Sequence, residues 1–315
     1  MQLEFRRLGQ SGLSVSLVGL GCNNFGERLE LNTTRAIVER ALDLGINFFD
    51  TADRYGSGKS ETDLGLALGQ RRKDIVLATK FGFDIHRRRV IAGGSRRYVV
   101  KAVEDSLRRL NTEWIDLYQM HTPDPTTPIE ETLKALDDLI RDGKIRYLGF
   151  SNFAVWQVID AQWTAHKINS NLCVSVQDEY SLAYRGHEAE LLPAVSAYGL
   201  GFIPYRPLAS GVLTGKYRRN AAPTDDTRTG HMKSRATKYL SDRNCELAER
   251  LQAFANASGR NLAHLAIAWL AARPYVSSII AGVTRPEQVD QNVQALDLRL
   301  SESDLATLDT LSALT

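Results

Sequence analysis

The stretch FFDTADRYGSGKSETDLG at positions 48–65 admits two incompatible interpretations, each of which implies a different fold. Its middle, GSGKS, resembles the end of a phosphate-binding P-loop, which would indicate a nucleotide hydrolase. A P-loop requires a glycine five residues before Gly58, and Asp53 occupies that position. The strand before it therefore does not lead into a Walker loop, and an assay of ATP hydrolysis would test that class directly.

The front of the stretch, FFDTAD, is typical of a buried strand that ends on a carboxylate, with Tyr55 just beyond it. We interpret Gly56 and Gly58 as a turn that leads the chain away from this strand. Ser60 is then expected to cap a helix that begins at Glu61. The stretch therefore predicts a strand, a turn and a helix, with the chemically important residues in its front half.

The same alternation of apolar runs and helical segments continues along the chain. Near-continuous apolar strands separated by helices indicate a parallel sheet covered by helices. Eight such units favour an α/β fold of the (β/α)8 TIM barrel type over an open doubly wound sheet. The predicted strands are 15–21, 46–52, 74–80, 114–121, 145–152, 174–181, 201–207 and 277–283, and the predicted helices include 33–44, 97–110, 129–142 and 187–198.

The barrel accounts for about 250 residues, and the rest of the chain predicts additions to it. Residues 3–14 suggest an N-terminal hairpin, and residues 211–240 a long polar loop after strand seven. Residues 301–312 predict a C-terminal helix, in which Ser301 and Asp304 have the spacing of a capping box. The chain shows no internal repeat and no convincing linker, so we expect all 315 residues to form one domain.

Composition and charge argue against several classes of protein. A net charge of +2 is too balanced for a typical nucleic-acid-binding protein. Three cysteines without metal-ligand spacing favour free thiols in a reducing compartment, and no metal site is predicted. The N-terminus lacks the apolar core of a signal peptide, and the most apolar helix, near 263–272, is too short to span a bilayer. We expect a soluble cytoplasmic protein without nucleic-acid or membrane partners, and nothing indicates an oligomer.

Polar residues fall at the carboxyl ends of the predicted strands, where a barrel places its active site. Strand two ends in Asp50, with Tyr55 in the following loop, strand three ends in Lys80 and strand four in His121. Any one of these residues alone is explained by a solvated or structural role. Four ionisable groups that converge from three adjacent strand ends are instead typical of a catalytic site. The next two strands add Ser151, Asn152 and Gln177.

Nearly the whole chain, from residue 18 to residue 292, resembles the aldo-keto reductase family. The resemblance rests on the order and spacing of six fragments: FFDTADRYG, LATK, YQMH, GFSN, YRPLASGVLTGKY and IAGVTRPEQVDQN. It implies an enzyme that reduces a small-molecule carbonyl substrate, an aldehyde or ketone, to an alcohol with NADP(H). It assigns the catalytic tetrad of the family to Asp50, Tyr55, Lys80 and His121, with Tyr55 as general acid and His121 orienting the substrate oxygen.

Acid–base chemistry explains why these residue types are needed together. Carbonyl reduction delivers a hydride to carbon and a proton to oxygen, and tyrosine, with a reference pKa near 10, is a poor acid at neutral pH. An ammonium about 4 Å away contributes roughly 4 kcal/mol at an effective dielectric of about 20. We therefore expect Lys80 to lower the pKa of Tyr55 by at most about 3 units, because desolvation opposes it. Asp50 is expected to keep Lys80 charged.

No side chain supplies a hydride, so a nicotinamide cofactor must do so. The run GLGCNN at 19–24 begins like a Rossmann fingerprint but lacks the third glycine. The resemblance implies instead an extended dinucleotide across the barrel mouth, with Tyr205 stacked on the nicotinamide and Lys216 at the pyrophosphate. The cofactor-binding residues that it implies are Gly21, Cys22, Asn23, Asp50, Ser151, Asn152, Gln177, Tyr205, Arg206, Pro207, Leu208, Ser210, Gly211, Lys216, Gly282, Thr284, Arg285, Gln288, Gln291 and Asn292.

Two of these positions bear on the choice of cofactor. A helix that opens after GVTRP favours an anion at its N-terminus, where the resemblance places Thr284 and Arg285 at a 2′-phosphate. Arg285 therefore predicts a preference for NADPH over NADH. Arg206 stands where many members of the family have serine, so a cationic contact would replace a hydroxyl contact there.

Substrate choice is expected to lie in the loops 22–28, 81–94 and 211–240. An apolar, aromatic mouth would suit medium-sized aldehydes and ketones, and the Arg87–Arg89 run would attract anionic ones if it lies at the mouth. Some members of the family act mainly as cofactor-binding regulatory subunits of channels, an alternative that the intact tetrad disfavours without excluding. Candidate pocket walls are Asn24, Phe25, Tyr55, Phe81 and Trp156.

Overall fold

The structure is a computed structural model that describes residues 3–83, 93–216 and 239–313. Within these residues, eight parallel strands form a closed barrel with helices between them, which confirms the predicted (β/α)8 fold. Each strand pairs with its neighbours in chain order, and the last pairs with the first. The barrel strands are β3 (Val18–Gly21), β4 (Phe48–Asp50), β5 (Val76–Phe81), β6 (Ile115–Met120), β7 (Ile145–Ser151), β8 (Ser175–Glu179), β9 (Gly201–Tyr205) and β10 (Ile279–Gly282).

Helices surround this barrel and bury one face each against it. The face of α4, for example, carries Leu133, Leu136 and Leu139, which are buried, at the spacing of an amphipathic helix. The helices are α1 (Leu31–Asp43), α2 (Lys59–Leu68), α3 (Arg96–Leu110), α4 (Ile129–Arg141), α5 (Val155–Lys167), α6 (Leu191–Ala197), α7 (Asp242–Ala257), α8 (Leu262–Ala271), α9 (Pro286–Gln294) and α10 (Glu302–Leu311).

An antiparallel hairpin, β1 (Phe5–Arg7) with β2 (Ser14–Ser16), covers the amino-terminal end of the barrel, as the sequence predicts. Its Leu8 and Val15 belong to the apolar cluster inside the barrel. Arg6 anchors the hairpin by donating to the carbonyl oxygens of Arg273 at 3.0 Å and of Val276 at 2.9 Å. The hairpin therefore acts as a plug that excludes water from the lower half of the barrel.

Inward-facing side chains form an apolar layer near the hairpin and a polar layer at the opposite end. Because side chains alternate along a strand, Phe48 and Asp50 of β4 share the inner face, as do Ala78 and Lys80 of β5. Phe48 and Ala78 belong to the apolar cluster, whereas Asp50 and Lys80 form a buried ion pair. The polar layer therefore lies at the carboxyl ends of the strands.

Two local predictions need correction. Ser60 does not cap α2, because that helix begins at Lys59 with Gly58 as its N-cap residue, at φ 91°. Ser60 instead donates to the carbonyl oxygen of Cys22 at 2.8 Å from inside the helix. The predicted helix 187–198 is shorter than expected and occupies only Leu191–Ala197.

The C-terminal helix α10 has the predicted capping box: Ser301 Oγ accepts from the Asp304 amide at 3.1 Å, and Asp304 Oδ2 accepts from the Ser301 amide at 3.0 Å. The Arg87–Arg89 run and most of the 211–240 loop lie outside the described residues. Among the helices that are described, none combines the length and the apolar character needed to cross a bilayer.

Candidate active site

A buried ion pair lies at the centre of the site. Lys80, from the end of β5, is fully buried and donates to Asp50 Oδ2 at 2.6 Å and to the Thr51 carbonyl oxygen at 2.9 Å. Burial lowers the pKa of Lys80, but Asp50 and Tyr55 raise it by more, so the net pKa lies above its ordinary value. Lys80 is therefore an ammonium at neutral pH, as the sequence predicts.

The second oxygen of Asp50 is held by two amides. Gln177 Nε2 donates to Asp50 Oδ1 at 2.9 Å, and Gln119 Nε2 donates to the same atom at 3.1 Å. Gln119 is fully buried and is absent from the predicted site. The sequence does contain a signal for it, because Gln119 precedes His121 by two residues and so shares its face of β6.

Tyr55 reaches the ion pair from the turn that follows β4. This turn requires left-handed backbone at Gly56 (φ 54°), Ser57 (φ 56°) and Gly58 (φ 91°), which glycine adopts without steric cost. The ring of Tyr55 has its centroid 5.3 Å from Lys80 Nζ. The structure therefore brings Asp50, Tyr55 and Lys80 together.

Lys80 lowers the pKa of Tyr55, as expected, but the net pKa is not lowered. Burial raises it above its ordinary value, and Lys80, which lowers it, does not compensate. The physical reason is that desolvation of the phenolate and the nearby Asp50 carboxylate together outweigh the ammonium. Tyr55 is consequently fully protonated at neutral pH, which is the state that a proton donor needs.

His121, at the end of β6, faces the same space. Its ring lies edge-on to Tyr55 with centroids 5.7 Å apart, and edge-on to Phe83 at 4.9 Å. Burial, Lys80 and Arg54 hold its pKa well below the ordinary range of histidine. The imidazole is therefore neutral and carries one N–H that can donate a hydrogen bond.

A cleft of about 980 Å³ opens above these residues at the carboxyl ends of the strands. Asp50, Tyr55 and His121 line it, while Lys80 lies beneath its floor. Arg285 and Gln291 are exposed and do not line the cleft. The predicted cofactor residues that line it are Gly21, Cys22, Asn23, Asp50, Ser151, Asn152, Gln177, Tyr205, Arg206, Pro207, Leu208, Ser210, Gly211, Lys216, Gly282, Thr284, Gln288 and Asn292.

Amide and hydroxyl groups interlock at the end of the cleft nearest the ion pair. Asn152, in left-handed backbone at φ 59°, donates through Nδ2 to the His121 carbonyl oxygen at 2.9 Å and to Ser151 Oγ at 3.0 Å. Its Oδ1 accepts from the Tyr205 hydroxyl at 2.7 Å. These contacts fix Asn152, Ser151 and Tyr205 relative to His121.

The loop after β9 has the features of an anion-binding segment. Arg206, Ala209, Ser210 and Gly211 all have positive φ angles, between 46° and 100°, a succession that turns backbone N–H groups toward one side. Ser210 Oγ is buried and has no hydrogen-bond partner among the described residues. These residues fit a phosphate-bearing ligand in the cleft.

The charge of Arg206 is not free for such a ligand. Its Nη1 lies 3.1 Å from Glu179 Oε2 and also donates to the Tyr239 hydroxyl, which in turn donates to Glu179 Oε1 at 2.6 Å. Sequence reasoning missed this network because its members lie 27 and 33 residues from Arg206 along the chain.

The opposite end of the cleft lies at the N-terminus of α9. Thr284 is held by Gln288, whose Oε1 accepts from the Thr284 amide at 2.7 Å and from its hydroxyl at 3.2 Å. Asn24 donates to the Val283 carbonyl oxygen at 2.8 Å and so joins the loop after β3 to the loop after β10. The cleft therefore extends from His121 to the start of a helix that favours anions.

Three of the five predicted pocket walls do not line the cleft. Phe25 and Phe81 are fully buried in the core, and Trp156 is 65% exposed on α5. Tyr55 and Asn24 do line it, together with Phe83, which sequence reasoning missed. Neighbouring side chains on one strand face opposite sides of the sheet. An error of one residue in the assumed position therefore assigns Phe81 to the cleft instead of the core.

Residues 17–313 match the family model of the aldo/keto reductase family. The match covers all eight strands of the barrel and every residue of the candidate site described above.

Several individual proteins are similar over nearly their whole length. A probable voltage-gated potassium channel subunit beta of Oryza sativa subsp. japonica is 38% identical over 302 residues, which cover 94% of this chain and 92% of that protein. The L-glyceraldehyde 3-phosphate reductase of Escherichia coli (strain K12) is 34% identical over 320 residues, 98% of this chain and 92% of that protein. The uncharacterized oxidoreductase YrpG of Bacillus subtilis (strain 168) is 36% identical, with 98% and 95% covered.

Proposed function

Because the chain belongs to the aldo/keto reductase family, whose members carry out NADP-dependent oxidoreduction of carbonyl compounds, we propose that it reduces aldehydes or ketones to alcohols with NADPH. The observation that carries this proposal is the convergence of Asp50, Tyr55, Lys80 and His121 at one end of the cleft. A protonated phenol, a buried ammonium and a neutral imidazole are the groups that proton delivery to a carbonyl oxygen requires.

We assign the proton donor to Tyr55. The carbonyl oxygen that becomes an alkoxide takes the Tyr55 hydroxyl proton, and Lys80 stabilises the phenolate that remains. Asp50 keeps the Lys80 ammonium charged, with Gln119 and Gln177 holding the carboxylate in place. His121 donates a hydrogen bond that orients the carbonyl oxygen. Solvent returns the proton to Tyr55 after the alcohol leaves.

The residues of the cleft support NADP(H) as the cofactor. When bound, it supplies the hydride that reaches the carbonyl carbon. Ser151, Asn152, Gln177 and Tyr205 would hold the nicotinamide end, because they surround Asp50 and His121. Ser210, Gly211 and Lys216 would hold the pyrophosphate. Thr284, Arg285, Gln288, Gln291 and Asn292 would hold the adenosine end, with Arg285 and Gln291 reaching in from its rim.

The test is NADPH oxidation over a panel of aldehydes and ketones, comparing wild type with Tyr55→Phe. We expect wild-type turnover and a loss of about a hundredfold to ten-thousandfold in kcat for the variant, the usual contribution of a positioned proton donor.

Tyr118→Phe is the matched control, because the Tyr118 hydroxyl is buried outside the cleft and has no hydrogen-bond partner among the described residues. That variant should keep its rate. A Tyr55→Phe protein as fast as wild type would show that the proton comes from another group.

A second function is favoured by one finding, the similarity to proteins named as probable potassium channel beta subunits. We hold as the alternative that the chain binds the cofactor mainly to regulate a partner protein. The two functions differ in turnover: a regulatory subunit would bind NADPH, reduce simple aldehydes hardly at all and co-purify with a membrane partner, whereas an enzyme would turn over without one.

A further inference from the structure

Arg54 precedes Tyr55 directly and lies at the substrate end of the cleft. Its guanidinium carbon is 4.0 Å from the centroid of the Phe83 ring, and Phe83 in turn packs edge-on against His121 at 4.9 Å. All four of these residues line the cleft. A stacked guanidinium is held by its face, so its N–H edges remain available for a ligand.

The charge of Arg54 has no acidic partner within the described residues. Two other arginines differ in this respect: Arg109 lies 2.6 Å from Glu61, and Arg206 lies 3.1 Å from Glu179. Among the described residues, the charge of Arg54 beside the reacting groups is therefore not neutralised by an ion pair.

The cleft as a whole has an excess of unpaired positive charge. Among the described residues that line it, Arg28, Arg54 and Lys216 have no ion pair, whereas Glu27 is the one acidic side chain in that state. Asp50 is neutralised by Lys80. Lys216 lies in the loop that we assign to the cofactor pyrophosphate. The two cations that remain for a substrate are Arg54, beside Tyr55, and Arg28, in the loop after β3.

We propose that Arg54 forms an anion subsite, so that the preferred substrates are aldehydes that carry a carboxylate or a phosphate. The subsite rests on the proposed function, because it places the acidic group of a substrate whose carbonyl oxygen lies between Tyr55 and His121. Arginine suits both anions, since its planar fork donates two parallel hydrogen bonds to either of them. Phe83 is the platform that holds the guanidinium in place.

The electrostatic field of Arg54 requires a test that separates binding from catalysis. Arg54 contributes to lowering the pKa of His121 and opposes the rise in the pKa of Tyr55. Its removal would therefore change the rate with any substrate to some extent. A ratio of rates between an acidic aldehyde and a neutral aldehyde of the same shape cancels that common effect.

The experiment compares kcat/KM for 4-carboxybenzaldehyde and 4-carbamoylbenzaldehyde, which have the same shape, in wild type and Arg54→Gln. We expect wild type to favour the acid, and the variant to lose about tenfold to a hundredfold of that preference, the effect of removing a hydrogen bond to a charged group. Arg54→Lys should keep part of the preference, because it retains the charge but not the fork. A third substrate, 4-formylphenyl phosphate, tells whether phosphate is favoured over carboxylate.

Arg35→Gln is the matched control, because Arg35 is exposed on α1 and does not line the cleft. Its preference for the acid should equal that of wild type. Equal ratios in wild type and Arg54→Gln would overturn the subsite while leaving the proposed function intact. A wild-type protein that reduces other carbonyl compounds but not the acidic aldehyde would also overturn the subsite alone. Failure of the wild-type protein to reduce any compound of the panel would instead overturn the proposed function, and the subsite with it.

Discussion

Asp53 lies behind the turn that carries Tyr55 and is an unusual place for a carboxyl group. It is buried, its Oδ2 accepts from the Tyr98 hydroxyl at 3.1 Å, and its Oδ1 has no partner among the described residues. Burial and the neighbouring Glu61 carboxylate raise its pKa to about 7, while Tyr98 and Arg109 oppose the rise. Folding therefore favours the protonated form of Asp53.

This shift predicts the direction of a pH effect on stability. Between about pH 4 and about pH 7 the folded chain binds more protons at Asp53 than the unfolded chain does, so the free energy of unfolding falls as pH rises through that window. Asp53→Asn removes the titration and keeps the shape, so the variant should gain stability relative to wild type as pH rises. Each pKa unit of the shift is worth about 1.4 kcal/mol.

Denaturant unfolding of both proteins at pH 5 and pH 8 measures this effect. Asp160→Asn is the control, because Asp160 is exposed on α5. Its free energy of unfolding should change between pH 5 and pH 8 by the same amount as that of wild type. If the free energy of unfolding of Asp53→Asn also changes by the same amount as that of wild type, Asp53 ionises normally in the folded protein.

The sequence predicted which side chains meet and that Lys80 is charged, but neither the net pKa of Tyr55 nor the ion pair of Arg206. Asp50, Lys80 and His121 follow from strand ends and side-chain alternation, a local property. The pKa of Tyr55 depends on how much water the surrounding loops exclude, and the pairing of Arg206 depends on Glu179 and Tyr239, which are distant along the chain. No local pattern contains that information.

Among the elements, α2 is the one that fixes the position of Tyr55, because the turn of Tyr55 leads directly into it. Glu61 ties this helix to its neighbours: its carboxylate accepts from Thr79 of β5 at 2.5 Å and lies 2.6 Å from Arg109 of α3. Thr79 adjoins Lys80. Glu61 thus links α2, which follows the turn of Tyr55, to β5, which carries Lys80.

Helices α2 and α3 also touch at a glycine, which gives a second prediction. A Cβ on Gly65 would lie 2.5 Å from the backbone oxygen of Leu110, closer than real contacts allow. Gly65→Ala should therefore destabilise the protein by about 1–3 kcal/mol through overpacking, despite the roughly 1 kcal/mol that alanine usually contributes in a helix.

Thermal unfolding measures the effect, with Gly12→Ala as control. Gly12 is exposed, and the nearest atom to a Cβ there would be 3.8 Å away. The melting temperature of the Gly12→Ala protein should therefore stay close to that of wild type. A Gly65→Ala protein with wild-type stability would mean that the two helices can move apart at no cost.

The elements were predicted well where a periodic apolar pattern was long, as in α3, α4 and the barrel strands. The error at Ser60 has a physical cause. Serine is a favoured cap, but here Gly58, in left-handed backbone, is the N-cap residue and the helix begins two residues earlier than predicted. The Ser60 hydroxyl instead donates to the carbonyl oxygen of Cys22, just after β3. Such contacts between distant loops are not visible in local sequence.

For the whole molecule, counting eight strands predicted the barrel, but the sequence does not show how its mouth is arranged. The cleft is lined by residues of the loops that follow β3, β4, β5, β6, β7, β9 and β10, together with Gln177 of β8. A dinucleotide in this cleft would contact strands far apart in the chain and so bind only the folded barrel. Its binding should therefore increase the free energy of unfolding by about 2.7 kcal/mol at a dinucleotide concentration one hundred times Kd. The melting temperature should rise accordingly.

The same measurement tests the preference between cofactors. At equal concentrations NADPH should raise the melting temperature more than NADH, because the start of α9 and Arg285 favour the additional phosphate. Arg285 is 60% exposed, and its one ion pair among the described residues is a long contact of 3.9 Å to Glu287, so the side chain can turn toward a ligand. Since an exposed ion pair contributes up to about 1 kcal/mol, Arg285→Gln should weaken NADPH binding about fivefold and leave NADH binding nearly unchanged.

Arg35→Gln again removes a positive charge away from the cleft, and it should keep the wild-type difference between the two cofactors. Equal shifts with NADPH and NADH in the wild-type protein would argue against the predicted NADPH preference. An undiminished preference in Arg285→Gln would move the phosphate site from the rim to residues inside the cleft, of which Thr284 and Lys216 are the candidates. The two cofactors differ only in that phosphate, so the change in melting temperature locates its binding site without depending on turnover.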